Sequence, residues 1–312
     1  MGVASLIGPA ACLGSAALWA LAASVYSRAA RASSPVAVNF MRAILSLPCF
    51  LAAALAWGGG APFREVTAGR VGWLLVSVVG SYAVGDALFL ASAHRVGVPV
   101  ALAVASTYPL WSAFAGWAFL GQRIGPAGLA GVVLVVAGVV TVVRQRAARP
   151  DRGSDGSPPA GGRTPTTDHT AGILLASATS LFWALNTFAV AQGGHGLGVA
   201  SVNSIRMGLA AALLPFVRLA IRGRGTPLLV PAREMRRAWP VFLLESVGGT
   251  ALFVLGLTRS PLAVAAALTS LAPVISVPFA VLIGGERVGG RALLGIVLVT
   301  AGIVLLVVLG RG

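Results

Sequence analysis

Two stretches of this sequence decide its fold. Residues 126–143 read PAGLAGVVLVVAGVVTVV, and residues 290–307 read GRALLGIVLVTAGIVLLV. Each is a continuous apolar run close to the roughly 20 residues that a helix needs to cross a bilayer core. Neither shows the short alternating pattern of transmembrane β-barrel strands. Because the two stretches also match each other at an offset of 164 residues, they predict membrane helices in a duplicated chain.

The same offset relates residues throughout the two halves of the chain. It pairs Trp19 with Trp183, Asn39 with Asn203, Arg42 with Arg206, Arg95 with Arg259, and Pro109 with Pro273. Between positions 86 and 143, 22 of 58 residues are identical to their partners. Hydrophobic composition does not account for matched Trp, Asn, Arg and Pro, so the chain is an internal duplication.

Apolar runs long enough to span a bilayer occur ten times. They cover residues 7–27, 35–57, 71–93, 97–119, 126–143, 171–191, 198–220, 238–258, 261–283 and 292–309. Each half holds five runs, and because five is odd, the second half enters the membrane in the opposite sense. We therefore predict an all-α integral membrane protein with ten transmembrane helices in two inverted five-helix repeats, an architecture typical of transporters.

A polar segment separates the two predicted repeats. Residues 144–170 are rich in Arg, Asp, Gly, Pro, Ser and Thr, a composition that cannot bury enough apolar surface to fold alone. The predicted division is a first five-helix repeat at 1–143, a flexible polar linker at 144–170, and a second five-helix repeat at 171–312.

The composition excludes several classes of function. Only 10% of the residues are charged and 57% are hydrophobic, whereas a soluble protein is about 25% charged. All 23 basic residues are Arg, so the chain has no phosphate-loop lysine and no Schiff-base lysine. The net charge of +15 lies mainly between the apolar runs, which indicates membrane anchoring and not nucleic-acid binding. The sequence also has no hydrolase or zinc motif, and we expect no enzyme activity, no metal and no cofactor.

Charged residues inside the predicted spans mark a candidate substrate cavity, because a charge at the bilayer centre costs about 2.5–3.5 kcal/mol. Arg42 and Arg206 each follow an asparagine by three positions, Asn39 and Asn203, which places each pair on one helix face. One interpretation is a polar face that lines the cavity and binds an anionic or zwitterionic group. The other is a structural arginine that satisfies backbone carbonyls or reaches the membrane surface.

Two carboxylates are candidates for coupling transport to protons or for binding a cation. Asp86 shares a helix face with Tyr82, and Glu245 lies inside the eighth predicted span. A buried carboxylate takes up a proton readily because desolvation disfavours its charged form. The alternative is an internal ion pair with Arg42 or Arg206 that holds helices together.

Aromatic residues are predicted to form one wall of the cavity. Trp19 and Trp183 are repeat-equivalent, and Asn186 follows Trp183 by three positions on the same helix face. Aromatic walls with a few polar groups suit a small-molecule pocket. The alternative is tryptophan at the lipid interface.

Prolines and glycines mark special positions in the last two spans of each repeat. Pro109, which follows Tyr108, and Pro273 interrupt the fourth spans, where they act either as cavity-lining hinges or as static kinks. Small residues allow close helix packing. Glycines recur every seven residues in the fifth spans, at Gly131, Gly138, Gly295 and Gly302.

Short motifs recur in the same order in both repeats. They are Phe89-Leu90-Ala91 before Arg95, Thr107-Tyr108-Pro109 and Leu271-Ala272-Pro273, and Gly121-Gln122-Arg123 and Gly285-Glu286-Arg287. On these motifs the sequence resembles the EamA-type branch of the drug/metabolite transporter superfamily, over nearly the whole chain outside the linker. Two departures are Gln122, where that family usually has Glu, and a first span without an acidic residue. The proton-coupling scheme of the related small multidrug exporters therefore does not transfer.

The resemblance implies a basket-shaped, ten-helix secondary transporter of small metabolites. We expect a multi-pass protein of the plasma (inner) membrane that moves an amino acid-like or other polar or amphipathic solute by alternating access. Export is favoured over uptake, and protons are the candidate coupling ion. Two alternatives stay open, a flippase for a lipid-linked carrier and a non-transporting membrane scaffold.

The arginine distribution and the resemblance predict opposite orientations in the membrane. The loops on the side of the termini carry five Arg, and those on the other side carry fifteen. The positive-inside rule places the richer side in the cytoplasm, whereas the resemblance implies cytoplasmic termini.

Overall fold

The protein is all-helical over the ranges that the computed structural model describes. These ranges are residues 6–58, 63–111, 114, 125–147, 165–222, 227–260, 265, 268–283, 285 and 288–305, and they contain no strand. The helices of the first half are α1 (Ile7–Ala32), α2 (Pro35–Gly58), α3 (Ala68–Val78), α4 (Gly85–Val96), α5 (Val98–Ala105) and α6 (Pro126–Ala147). Those of the second half are α7 (Pro165–Gly194), α8 (Val199–Arg222), α9 (Ala232–Leu243), α10 (Thr250–Arg259), α11 (Ala272–Leu282) and α12 (Gly290–Val304).

Six helical segments are long and apolar enough to cross a membrane. They are Ile7–Ala32, Pro35–Trp57, Ala68–Val96, Asp168–Gly194, Val199–Ala220 and Ala232–Arg259. Shorter apolar helices cover Val98–Trp111, Pro126–Gly138, Ala272–Leu282 and Gly290–Val304. The prediction of an all-helical protein is confirmed over the described ranges, and these segments are the kind of helix that can cross a bilayer with its backbone satisfied. The predicted number of ten transmembrane helices stays a prediction.

Several helices extend beyond the apolar runs that predict them. Helix α6 reaches Ala147 and α7 begins at Pro165, so both extend into the segment predicted as a linker. Proline suits the first turn of a helix, where its missing N–H has no intrahelical partner. Residues 148–164 lie outside the described ranges, and the division at 144–170 stays a prediction.

Helices α6 and α12 cross through repeat-equivalent glycines. A Cβ atom at Gly138 would lie 2.6 Å from the backbone nitrogen of Val299, and one at Gly302 would lie 2.6 Å from that of Val135. The two contacts are related by the 164-residue offset, and they pair the later part of each helix with the earlier part of the other. The helices therefore cross antiparallel about a local two-fold axis, and the predicted close packing at these glycines is confirmed.

The other main packing pairs also join one repeat to the other. Helix α2 packs on its equivalent α8, while α1 packs on α10 and α7 packs on α4. The last two pairs are equivalent to each other under the same offset. The two halves are therefore interleaved, and their shared interior lies between α1, α2, α4, α7, α8 and α10.

One short π-helical turn interrupts the third predicted span of each repeat. Val79–Ala83 joins α3 to α4, and Leu244–Gly249 joins α9 to α10. A π turn inserts an extra residue into a helix, rotates the side chains that follow and is frequent at functional sites. Both turns lie at the interior that the two repeats share.

Candidate functional site

A cavity of about 120 Å³ lies between the two repeats. Helices of both repeats and both π turns contribute to its wall. Of the ten residues predicted to form the substrate cavity, eight line it: Trp19, Arg42, Tyr82, Asp86, Tyr108, Trp183, Asn186 and Arg206. Glu245, the second predicted coupling residue, lines it as well.

The π turns position both carboxylates of the cavity. Glu245 lies in the second π turn, and Asp86 follows the first π turn by three residues. Both side chains are almost fully buried, at 5% exposure each. The local change in helical rotation brings side chains from two different repeats toward one arginine.

Arg42 is held by two carboxylates. Its Nη1 atom donates to Asp86 Oδ2 at 2.5 Å, while Nε and Nη2 donate to the two oxygens of Glu245 at 3.2 Å each. Asn39 Oδ1 accepts a further bond from Nη1 at 3.1 Å. The two-pronged contact with Glu245 matches the fork geometry in which guanidinium and carboxylate bind best. Of the two interpretations of these charges, the internal ion pair is present in the structure.

Aromatic rings surround the same guanidinium. The Arg42 Cζ atom lies 5.1 Å from the ring centre of Trp19, 5.0 Å from that of Tyr26 and 4.8 Å from that of Tyr82. Each distance is within the range of a cation–π interaction. The Tyr26 hydroxyl also donates to Glu245 Oε2 at 2.6 Å.

Trp183 connects the aromatic wall of the cavity to Asp86. Its indole Nε1 donates to Asp86 Oδ1 at 2.9 Å, and its ring lies 5.8 Å from the ring of Trp19 in an edge-to-face arrangement. The two repeat-equivalent tryptophans therefore meet at the cavity, with Phe89 against both of them.

Arg206 has a different environment, although it is the repeat equivalent of Arg42. It donates to Ser77 Oγ at 3.0 Å, to Asn186 Oδ1 at 3.1 Å, and to Asn203 Oδ1 and Ser81 Oγ at 3.4 and 3.5 Å. Within the described ranges no carboxylate oxygen lies within 4.0 Å of its guanidinium. Arg206 is only 2% exposed, so this cation is buried among neutral groups.

Asn39 and Asn203 lie behind the arginines and do not line the cavity. Each carboxamide oxygen accepts from the arginine three positions later on its own helix, as the spacing predicts. The amide nitrogens donate to the backbone carbonyls of Tyr82 and Thr250, at 2.7 and 3.5 Å. These asparagines orient the arginines and satisfy carbonyls in or beside the π turns, where the regular helical bonding pattern changes.

The fourth span of each repeat is broken just before its proline. Helix α5 ends at Ala105, and the chain turns at Ser106 and Thr107 ahead of Pro109. The second repeat turns at Ser270 and Leu271 ahead of Pro273, which lies in the first turn of α11. Each proline thus begins a new helical segment, the position that proline tolerates best. Whether these breaks act as hinges stays a prediction.

The broken spans contribute polar side chains to the cavity. Ser106, Tyr108 and Thr269 line it, and the hydroxyls of Tyr108 and Thr269 hydrogen-bond to each other across the two repeats. The Gly121-Gln122-Arg123 turn and residues Glu286 and Arg287 lie outside the described residues.

Sequence reasoning missed several contributors to the site, among them three residues that contact the two arginines. The ring of Tyr26 lies against Arg42 and its hydroxyl donates to Glu245. Ser77 and Ser81 accept hydrogen bonds from Arg206. A helical spacing could have indicated each of them. Tyr26 follows Trp19 by seven residues and Ser81 follows Ser77 by four, spacings that share one helix face.

Comparison with known proteins agrees with this geometry. Both halves of the chain match the sequence profile of the EamA-like transporter family, over residues 6–144 and 170–308. The chain belongs to the EamA-like transporter family. A solved crystal structure described as "Crystal structure of protein" shares the fold of this EamA-like chain, with a TM-score of 0.64 and 20% sequence identity. The likeness covers 99% of this chain and 97% of that chain. The sequence matches no curated protein.

Family membership fixes the general activity of the chain. EamA-like proteins are transporters of small solutes and not enzymes, so a bilayer and a small-molecule substrate are the context of this one. In the part of the chain that the structure describes, no three His, Cys, Asp or Glu side chains group as metal ligands.

Proposed function

We propose that this EamA-like protein is a secondary active transporter that moves a small polar or amphipathic metabolite by alternating access. The solute is amino acid-like or of similar size and polarity, and export is the expected direction. The observation that carries the proposal is the Arg42–Asp86–Glu245 cluster, which is buried, lines a cavity and joins the two repeats.

Ten membrane-spanning helices are part of the proposal. The six long helices and the four shorter apolar helices correspond one to one with the ten predicted apolar runs. Five spans per repeat give the inverted topology, and the antiparallel crossing of α6 and α12 supports it. Inverted repeats supply two alternative arrangements of similar energy around one central site.

Contacts between the repeats run through the cavity itself. Arg42 of the first repeat binds Glu245 of the second, and Arg206 of the second repeat binds Ser77 and Ser81 of the first. Rocking one repeat against the other would alter these contacts. A solute that binds among them can therefore favour one arrangement over the other, which is the requirement for coupled transport.

The charge of the cluster supports proton coupling. Two carboxylates face one guanidinium, so the cluster of Asp86, Glu245 and Arg42 carries one negative charge in excess when all three are ionised. Uptake of one proton makes the cluster neutral without removing the remaining ion pair.

The test is solute transport by the purified protein in liposomes. Metabolites are screened by counterflow and under an imposed pH gradient, with wild type, Asp86→Asn and Glu245→Gln side by side. We expect a pH gradient to drive transport by wild type and not by the two cavity variants. Matched controls are Asp168→Asn and Glu65→Gln, because both carboxylates are substantially exposed in weak ion pairs away from the cavity.

If no solute moves under any gradient, the proposal of a transporter is wrong. If both cavity variants keep wild-type transport driven by the pH gradient, the proposed coupling to protons is wrong. A scaffold function predicts that the variants Arg42→Ala, Asp86→Asn and Trp183→Ala keep the activity of the wild-type protein.

A flippase for a lipid-linked carrier is the second candidate. An apolar cavity of about 600 Å³ opens between α2 and the start of α8, lined by residues such as Phe50, Trp57 and Val199. Of the arginines at 222–237 that would bind a phosphate head group, Arg233, Arg236 and Arg237 lie in α9, which follows the other end of α8. The cavity lies at the start of α8 and these arginines follow its end, a separation that favours a soluble solute. A phosphate-bearing lipid that copurifies stoichiometrically would reverse this preference.

A further inference from the structure

We infer that Arg206, and not Arg42, is the anion-binding residue of the cavity, and that it takes the carboxylate group of the solute. The inference rests on the proposed function and adds to it the charge of the substrate and the residue that selects it. The two arginines are equivalent by duplication, and only their contacts distinguish them.

The first step is the difference in neutralisation. Arg42 is bound by two carboxylates at 2.5 and 3.2 Å, so its charge is more than compensated within the protein. Arg206 is as deeply buried, but its four hydrogen-bond partners are hydroxyl and carboxamide oxygens. An anion at Arg42 would directly meet two carboxylates, whereas the direct hydrogen-bond partners of Arg206 are all neutral.

The second step is the energetic state of Arg206. Neutral oxygens orient a guanidinium and satisfy some of its donors, but they supply no counter-charge. A buried charge without an opposite charge is costly, and removing one partner from a buried pair is costly for the same reason. Arg206 therefore resembles one half of an ion pair, and it lines the cavity where a solute would provide the other half.

The third step is the balance of charges around the cavity. The ionisable acids and bases that line it within the described residues are Arg42, Asp86, Glu245 and Arg206. The first three form a cluster with one excess negative charge, and Arg206 is a separate positive charge. The four charges sum to zero but are divided between two poles, so a singly charged carboxylate at the Arg206 pole disturbs the balance less than a doubly charged phosphate. A solute ammonium group would complement the opposite pole at Asp86 and Glu245.

The surroundings of Arg206 also suit a small carboxylate. Ser81, Asn186 and Thr187 line the same part of the wall, and the Tyr82 ring lies 5.9 Å from the Arg206 Cζ atom. The contacts of Arg206 with Asn203 and Ser81 are long, at 3.4 and 3.5 Å, and one of its five N–H donors is used by none of the four bonds. A carboxylate can therefore take that donor and compete for the long contacts, because charge-assisted hydrogen bonds are stronger than neutral ones. Phe253 and Trp183 offer apolar wall for the rest of the solute.

A binding experiment tests the inference independently of transport. The thermal unfolding of the purified protein is followed in detergent with sodium propionate and with propionamide, an uncharged molecule of the same shape. We expect propionate to raise the unfolding temperature of wild type and propionamide to have no effect, because a ligand stabilises the state that it binds. Arg206→Gln should weaken propionate binding about tenfold to a hundredfold, the range for a hydrogen bond to a charged group.

Two further variants guard against a folding defect. Arg206→Lys keeps the charge without the fork and should retain weakened binding. Asn186→Asp keeps Arg206 and places a carboxylate beside it, at the atom now 3.1 Å away. This internal counter-charge should abolish the propionate effect while leaving the protein at least as stable as wild type.

The outcomes separate the inference from the proposed function. Equal responses to propionate and propionamide, or a propionate response that survives in both Arg206→Gln and Asn186→Asp, would overturn the role of Arg206. Transport of amides and carboxylates alike would leave the transporter intact and reject the carboxylate anchor. Specific propionate binding without transport of any solute would support the anchor and reject the transporter.

Discussion

The two equivalent arginines of this duplicated chain have opposite surroundings. Arg42 has two carboxylates and three aromatic rings around it, whereas Arg206 has hydroxyls and amides. The difference in carboxylates originates at two pairs of equivalent positions. One pair is Asp86 and Thr250, and the other is Ser81 and Glu245.

These two exchanges explain the asymmetry of charge in the site. Each repeat keeps one acid and one hydroxyl, yet both acids reach Arg42, because position 245 contacts the arginine of the other repeat and position 86 that of its own. The symmetric contact of Ser81 is with Arg206. A symmetric scaffold thus holds a polar site with a negative and a positive end, and duplication alone does not make the two ends alike.

The largest expected difference between the two arginines is in stability. Arg42→Gln leaves Asp86 and Glu245 buried without a cation, and breaking a buried ion pair costs about 3–5 kcal/mol. Arg206→Gln removes hydrogen bonds to buried neutral groups but leaves no carboxylate without a cation, so we expect a smaller loss of about 1–3 kcal/mol. Chemical denaturation in detergent measures both variants. Equal destabilisation would contradict the contrast drawn between the two arginines.

An exchange of the acids sharpens the same comparison. A variant with Ser81→Glu, Glu245→Ser, Asp86→Thr and Thr250→Asp moves both carboxylates toward Arg206. Propionate should then bind at Arg42, so that adding Arg42→Gln weakens its effect about tenfold or more while adding Arg206→Gln does not. Thermal shifts of the three proteins measure this, and continued dependence on Arg206 would show that charge pairing does not set the anion site.

The glycine crossing provides a symmetric region against which the asymmetric site can be judged. Gly138→Ala and Gly302→Ala each force a methyl group to within 2.6 Å of a backbone nitrogen, and overpacking of this kind costs about 1–3 kcal/mol. The two variants should lose equal stability in the unfolding measurement. Gly290→Ala is the control, because no atom lies within 4 Å of its added methyl; unequal losses at 138 and 302 would contradict the symmetry of the crossing.

The smallest expected effect is at Tyr26. Tyr26→Phe keeps the ring beside Arg42 and removes the hydroxyl that donates to Glu245 Oε2, a hydrogen bond to a charged group worth about 1.5 kcal/mol. We expect that loss of unfolding free energy together with a changed pH dependence of transport. The equivalent position in the second repeat is Val190, and Val190→Ala serves as a control that lowers stability without changing the pH profile.

Much of the fold was predictable because its signals are local. The apolar runs, the offset that matches Trp19 to Trp183, and the charges inside spans such as Asp86 all follow from reading along the chain. The candidate cavity was predictable to the extent that polar residues in a membrane avoid lipid and meet each other.

The pairing inside the cavity was not predictable in the same way. Arg42 and Glu245 are 203 residues apart, and nothing local indicates that Glu245 contacts Arg42 and not Arg206. The π turns change the rotation of the residues after them, so the sequence spacing in the third spans does not give the direction of their side chains. Tyr26 was missed because a single tyrosine in an apolar helix has no local signal beyond its spacing from Trp19.

The sequence by itself determined that the protein lies in a membrane, that the chain is duplicated, and which charged residues lie inside the predicted spans. Hydropathy is a property of consecutive residues, and a bilayer requires each apolar run to satisfy its own backbone as a helix. The tertiary structure alone decided that both carboxylates pair with Arg42 and that, among the described residues, none pairs with Arg206. That choice depends on how helices from different repeats rotate and cross, which is fixed by packing between distant parts of the chain.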